Sequence, residues 1–171
     1  MFKDENEILQ ERARMISGFK TKHQPTGELQ FVVEFILAPE KYAIDGSLVS
    51  EVLPLNNLTI IPGVPSFITG IMNIRGKITS IVNLKRFFNL KEKGLTALSK
   101  ILVIKHQLME FGIVTDEIIG INQLDIGSLS PPPVTLQGEG AGYILGVTPE
   151  GTILLDAVAI LSDNALIINQ K

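Results

Sequence analysis

The chain has no cysteine, only two histidines, and aromatic residues at 6% of its 171 positions. Without thiols there are no disulfides, no thiolate catalysis and no cysteine-based zinc or iron–sulfur centre; this suits a reducing compartment and argues against redox chemistry. Basic charge is also short. Fifteen Lys and Arg against eighteen Asp and Glu leave a net charge near −3, and no basic stripe interleaved with aromatics is present to neutralise phosphates, so nucleic acid is not an expected partner. No apolar run approaches the ~20 residues that a bilayer span requires. The opening Met-Phe-Lys-Asp-Glu-Asn-Glu is acidic where a secretory signal is basic. The expectation is a cytoplasmic protein with no direct membrane insertion.

Catalytic constellations are missing too. There is no Gly-rich phosphate loop with Lys-Ser or Lys-Thr, no dinucleotide glycine cluster, and no histidine pair at metal-ligand spacing. His23 falls in a polar linker and His106 in a hairpin turn, where a solvated histidine is the simpler reading than a general base. Asp116-Glu117 has the composition of an acid pair, but adjacent residues on a strand point to opposite faces, which suits an exposed rim. No catalytic residue, metal or cofactor is expected.

What the chain does have is hydrophobic residues at 45% and charged residues at 19%, enough to bury a real core without staples. Residues 4 to 22 place Ile8, Leu9, Met15, Ile16 and Phe19 on one helical face. An N-terminal amphipathic helix is one reading of that segment, docked on its own barrel rather than on a membrane or partner, with a linker following through Gly27. Beyond it the signals are those of strands. Leu29 to Leu37 and Lys41 to Asp45 form a first hairpin, and Leu48 to Leu53 alternates apolar and polar positions. A proline-bounded loop follows at Pro62 to Pro65. Then comes the stretch that organises the chain: Phe-Ile-Thr-Gly-Ile-Met-Asn-Ile and Ile-Thr-Ser-Ile-Val-Asn-Leu flank Arg75-Gly76-Lys77. This reads as strand, tight turn, strand, with Gly76 supplying a positive φ at the second central position. Arg75 is then either a solvated turn residue or a preorganised contact for a partner's carboxylate or carbonyls. Glu51 is either an outward face or an edge charge offered to a partner.

The second half repeats the first. Phe67-Ile68-Thr69-Gly70-Ile71 aligns with Tyr143-Ile144-Leu145-Gly146-Val147, Gly76-Lys77-Ile78 with Gly151-Thr152-Ile153, and Val82-Asn83-Leu84 with Leu155-Asp156-Ala157, where Asn83 and Asp156 are helix caps. Earlier, Tyr42-Ala43-Ile44 aligns with Phe111-Gly112-Ile113. Each half holds about five strands and a short helix, too little for a generous core alone, so two similar barrels sharing apolar surface are the expected architecture. The copies differ at the turn. Asn73, Ile74, Arg75 and Lys77 give way to Pro149, Glu150 and Thr152 around what reads as a shorter turn.

The run Val49-x-Glu51-Val52, then Ile61-Pro62-x-x-Pro65-x-Phe67-Ile68-x-Gly70-Ile71-x-Asn73-Ile74-Arg75-Gly76, resembles the CheW adaptor family of chemotaxis, and Ile81 to Leu84, Gly112 to Ile118 and Leu154 to Asp156 extend the likeness over residues 29 to 161. The resemblance implies an all-β dominated fold of two pseudo-repeated five-stranded SH3-like β-barrels sharing a core, with short helices. The domain then spans 28–161 as two intertwined barrel subdomains, roughly 28–97 and 98–161, with an extension at 1–27 and a tail at 162–171. It also implies a non-enzymatic scaffold that joins the cytoplasmic tip of methyl-accepting chemotaxis receptors to the regulatory domain of the histidine kinase CheA. Carried over by position, Arg75, Asn73, Gly76, Glu51 and Val49 would lie at the receptor contact, and Gly112, Val114, Asp116 and Gly146 at part of the kinase contact. Asn83 and Thr115 stand where the family usually has Asp and Val; the former still caps a helix, while the latter leaves the kinase contact open. The alternative reading is a β-barrel module for a small molecule such as a purine nucleotide.

Overall fold

The computed structural model describes residues 28–92, 94, 96–133 and 141–163. The amphipathic stripe of residues 4 to 22, the Gly138 to Gly140 run and most of the expected tail lie outside them. Ten strands follow in order: β1 (Leu29–Leu37), β2 (Glu40–Asp45), β3 (Val49–Pro54), β4 (Ile68–Ile74), β5 (Lys77–Val82), β6 (Lys100–His106), β7 (Met109–Thr115), β8 (Glu117–Asp125), β9 (Ile144–Val147) and β10 (Ile153–Leu155). Two short helices, α1 (Leu84–Phe87) and α2 (Ala157–Leu161), each follow the second arm of a hairpin. Both caps expected from sequence are in place. Asn83 Oδ1 accepts from the Lys85 and Arg86 amides, and Asp156 Oδ1 accepts from the Ala159 amide.

The strands make two five-stranded sheets, in the orders β8-β1-β2-β10-β9 and β3-β6-β7-β5-β4. Each curls into an SH3-like barrel. The repeat seen in sequence is also a repeat of structure: Ile153 and Leu154 run parallel to Tyr42 and Ala43, just as Ile81 and Val82 run parallel to Gly112 and Ile113. The Asn83 amide donates to Phe67 O and the Asp156 amide to Tyr143 O, both at 2.7 Å. Yet the barrels do not divide near residue 97. One takes β1 and β2 from the first repeat and β8 to β10 from the second; the other takes β3 to β5 from the first and β6 and β7 from the second. Each repeat completes its partner's barrel, so the two are interlaced rather than set side by side.

Period-two alternation in the strands sorts the apolar side chains into three layers. Leu102, Ile104 and Ile113 join Val33, Phe35, Leu37, Tyr42, Ile44 and Leu155 in a core shared between the sheets, onto which Leu84 and Ile160 of the helices pack. Ile101, Val103 and Val114 turn the other way and fill the β3–β7 barrel with Met72, Ile74 and Ile81. The second barrel has a smaller filling of Val32, Ala43, Leu124 and Leu154. There Glu34 stands in the place that Val103 takes in its counterpart; it is only 5% exposed, accepts from Asn122 Nδ2 at 3.3 Å and lies 3.9 Å from Lys41 Nζ. At the seam, Phe87 packs between the equivalent aromatics Phe67 and Tyr143, with ring centroids 5.2 Å from each.

Candidate functional site

The β4–β5 hairpin closes through Ile74 paired with Lys77, leaving Arg75 and Gly76 as its two turn residues. Both have positive φ, +53° at Arg75 and +81° at Gly76. This is the type I′ pattern, whose twist matches that of the strands it joins. The sequence identified the need for Gly76; that Arg75 is also left-handed was not legible. An arginine there costs about 1 kcal/mol relative to glycine or asparagine, so the turn alone does not account for its presence. Asn73 staples the turn from within, its Oδ1 accepting the Gly76 amide at 2.8 Å.

The guanidinium does not float in solvent. Arg75 Nη2 lies 3.0 Å from Glu51 Oε2, with the arginine side chain 80% exposed and the glutamate 16% exposed. The pair ties the hairpin turn to β3, the strand at the far edge of the same sheet. The Glu51 carboxylate faces the arginine of its own chain, an arrangement that neither reading of Glu51 included. Nη2 is engaged, and with the side chain 80% exposed the rest of the planar guanidinium is open to solvent, a group suited to a carboxylate or to helix-end carbonyls. Beside it runs an open groove of about 250 Å³ lined by Asn56, Asn57, Thr59, Ile71, Asn73 and Ile78. Ile78, just beyond the turn, is 49% exposed, so apolar surface lies close to the arginine. Arg75, Asn73, Gly76 and Glu51 are therefore brought together. Val49 is not among the exposed residues; it packs half-buried against the shared core, and Val52 is the valine that β3 exposes.

The second set of expected site residues is largely withdrawn from the surface. Val114 is 5% exposed, inside the β3–β7 barrel. Gly112 and Gly146 are buried where no side chain fits: a Cβ at Gly112 would meet Ile101 Cγ2 at 2.6 Å, and one at Gly146 would meet Leu129 Cβ at 2.7 Å. Asp116 is engaged internally, its Oδ2 lying 2.5 Å from Lys85 Nζ and 2.7 Å from the Ala38 amide nitrogen. Val114 and the two glycines belong to the packing of the scaffold, while Asp116 keeps 23% of its side chain at the surface. Thr115 is fully buried too, and its hydroxyl donates to Lys100 O at 3.1 Å; it is a satisfied core substitution. Lys85 was missed by the sequence reading, and the signal was a lysine beside Leu84 in a helix otherwise read for its apolar face.

Among the described residues no cluster of three or more His, Asp or Glu side chains is placed to hold a metal ion, and the aromatic cluster around Phe87 is spent on internal packing. The arginine thus stands at the surface of a two-barrel scaffold, paired with Glu51 of the same chain. The chain belongs to the CheW-like domain family, which it matches over residues 32–165. It is similar to the chemotaxis protein CheW of Treponema pallidum (strain Nichols), 34% identical over 145 residues that cover 79% of this chain and 84% of that protein. The chemotaxis protein CheW of Klebsiella aerogenes is 29% identical, with 88% of this chain and 94% of that protein covered. The crystal structure of the scaffolding protein TtCheW from Thermoanaerobacter tengcongensis superposes with a TM-score of 0.70 at 29% identity, covering 89% of this chain and 97% of that one. The protein is thus a non-enzymatic chemotaxis coupling adaptor.

Proposed function

We propose that the protein joins the cytoplasmic hairpin tip of a chemoreceptor to the regulatory domain of the histidine kinase CheA, letting receptor state bias the kinase. It works in the cytoplasm, held at receptor arrays through its partners; among the described residues no helix is long and apolar enough to cross a membrane. The receptor contact is Arg75 with Asn73, Gly76 and Glu51 and the adjoining groove. The observation that carries this assignment is the arginine itself, kept at φ +53° and 80% exposed where the turn would be more stable without it.

For the kinase we propose the barrel of β1, β2 and β8 to β10, at a surface other than the one expected from sequence. On one face of the β1–β8 pair, Leu29, Phe31 and Ile121 are 52%, 61% and 76% exposed, beyond the point where Val33 enters the shared core. A contiguous apolar patch with β8 at the sheet edge suits a protein partner. The test is a titration with a receptor signalling hairpin and with the kinase regulatory domain, comparing wild type, Arg75→Glu and Ile121→Asp. Arg75→Glu is expected to weaken receptor binding alone, and Ile121→Asp kinase binding alone. A wild type that binds neither partner overturns the adaptor role, and a folded Arg75→Glu that binds receptor like wild type overturns the site.

A further inference from the structure

α1 is held on two sides by different means. Leu84, Phe87 and Phe88 pack it onto the shared core. On its other side, Lys85 turns inward with its side chain only 5% exposed and meets Asp116 Oδ2 at 2.5 Å. Asp116 sits where the chain leaves β7 for β8, that is, where it crosses from one barrel to the other. The same carboxylate oxygen accepts the Ala38 amide in the β1–β2 turn, and the Asp116 amide donates to Ile36 O at 2.9 Å. One carboxylate therefore ties a helix of the β3–β7 barrel to the crossover and to the first hairpin of the other barrel.

Packing does not make this tie redundant. A cavity of about 150 Å³ lies beside Lys85 and Asp116, lined also by Thr69, Asn83, Arg86 and Val114. Thr69 Oγ1 is buried there without a hydrogen-bond partner among the described residues. That side of α1 has room to move, and the ion pair is what spans it. The fold itself does not demand the pair. In the repeat, α2 carries Val158 at the position of Lys85, 39% exposed, and Ser47 stands at the position of Asp116, exposed on a turn.

We propose that Lys85 and Asp116 are positioning residues whose ion pair latches α1 to the crossover between the barrels, fixing the Arg75 hairpin relative to the opposite barrel. The hairpin feels α1 at both ends. β5 runs directly into the helix, and Arg86 Nη1 donates to Ser66 O at 3.1 Å, just before β4. A buried ion pair contributes little net stability against apolar replacement of both partners, although loss of one partner leaves the other charge unpaired, and its geometry is directional where apolar contact is not. The latch thus sets where the helix sits rather than whether the protein folds. This inference deepens the adaptor reading and rests on it for its consequence: receptor and kinase surfaces kept at a fixed offset, so that occupancy of one is felt at the other.

The test compares wild type with Lys85→Met, Lys85→Arg and Asp116→Asn. Amide hydrogen exchange reads the helix directly, through the Phe87, Phe88 and Leu90 amides that donate to Asn83 O, Leu84 O and Lys85 O. Lys85→Met is expected to speed these three by about tenfold more than it speeds the β6 and β7 amides, Lys85→Arg to stay near wild type, and Asp116→Asn, which leaves Lys85 unpaired, to loosen the same three amides selectively. The second reading is the factor by which saturating receptor hairpin changes affinity for the kinase regulatory domain. In Lys85→Met it is expected to fall towards one, with each single affinity within about threefold of wild type. Unchanged helix amides, a uniform rise in exchange across both barrels, or undiminished coupling in a loosened variant would overturn the latch. If Lys85→Met does not fold, Asp116→Asn carries the same comparison. A wild type that binds neither partner sinks the adaptor reading, and the exchange result still decides the latch.

Discussion

The β4–β5 and β9–β10 hairpins stand at equivalent places in their barrels and end in opposite ways. The first has arms of seven and six residues and projects a two-residue turn that puts Arg75 into solvent against Glu51. The second has arms of four and three residues. Its turn is not shorter, as the sequence suggested, but one residue longer: Pro149, Glu150 and Gly151 are closed off by Thr148 and Thr152. The Thr148 amide donates to Thr152 O at 2.9 Å and the Thr152 amide to Thr148 Oγ1 at 3.0 Å, with both threonines at least 95% buried. One hairpin spends its polar groups on itself and the other presents them. Where two copies share a frame, what they hold in common belongs to the fold, and what one has alone is available for binding.

The frame predicts the largest effects, and they should be alike in both copies. A Cβ at Gly70 would lie 2.3 Å from Thr59 O, and one at Gly146 3.0 Å from Ser130 O. Gly70→Ala and Gly146→Ala are each expected to lower the unfolding free energy by about 3 kcal/mol, read from urea midpoints; a mild effect at either would break the equivalence. Next is a difference between barrels. Tyr42 occupies the position of Phe111, and burial, followed by the charge of Glu40, pushes its hydroxyl up to about 12. The unfolded chain ionises near pH 10 and the folded one only later, so this contribution is complete below pH 10 and is lost as pH rises through 12. The loss is of order 2 kcal/mol, and denaturant midpoints between pH 9 and 11.5 should fall for wild type but less for Tyr42→Phe.

Arg75→Glu sharpens the comparison at the turn. It should weaken receptor-hairpin binding by about 2 kcal/mol, roughly thirtyfold, while the exposed Arg75–Glu51 pair makes the cost to folding less than about 1 kcal/mol. The smallest effect has the opposite sign. Arg75→Asn suits a left-handed turn position and should raise stability by about 0.5 kcal/mol while still weakening receptor binding. If both stability and binding improved, Arg75 would be an ordinary turn residue.

The parts of this frame that depend on nearby residues were legible in the sequence: the Arg75-Gly76 turn, the Asn83 and Asp156 caps, and the alignment of Phe67 with Tyr143. What escaped were partners far along the chain. Alternation marks a strand such as β6 without saying which repeat supplies its neighbour, so intertwined barrels are expected but which strands each one takes is not legible. Gly112 and Val114 enter the candidate set by position in the family resemblance, and a strand buried on both faces has no polar alternation to argue against them. Asp116 enters by the same resemblance, and its partner Lys85 lies in a helix that precedes two whole strands. In the set proposed for the receptor, local pattern treats Arg75 and Glu51 separately and the family resemblance groups them, and only the fold shows that the two pair with each other.

The exchange of strands between repeats also governs how the polypeptide can be divided. A cut between Ala97 and Leu98 falls at the repeat boundary, yet it leaves one piece with β1 to β5 and the other with β6 to β10, neither owning a complete sheet. Separated, each fragment bares the strand edges and apolar faces that its counterpart covers. Mixed, they have every pairing needed to rebuild both barrels at once. The molecule is, in effect, a split protein whose halves are kept at high local concentration by one short stretch of chain.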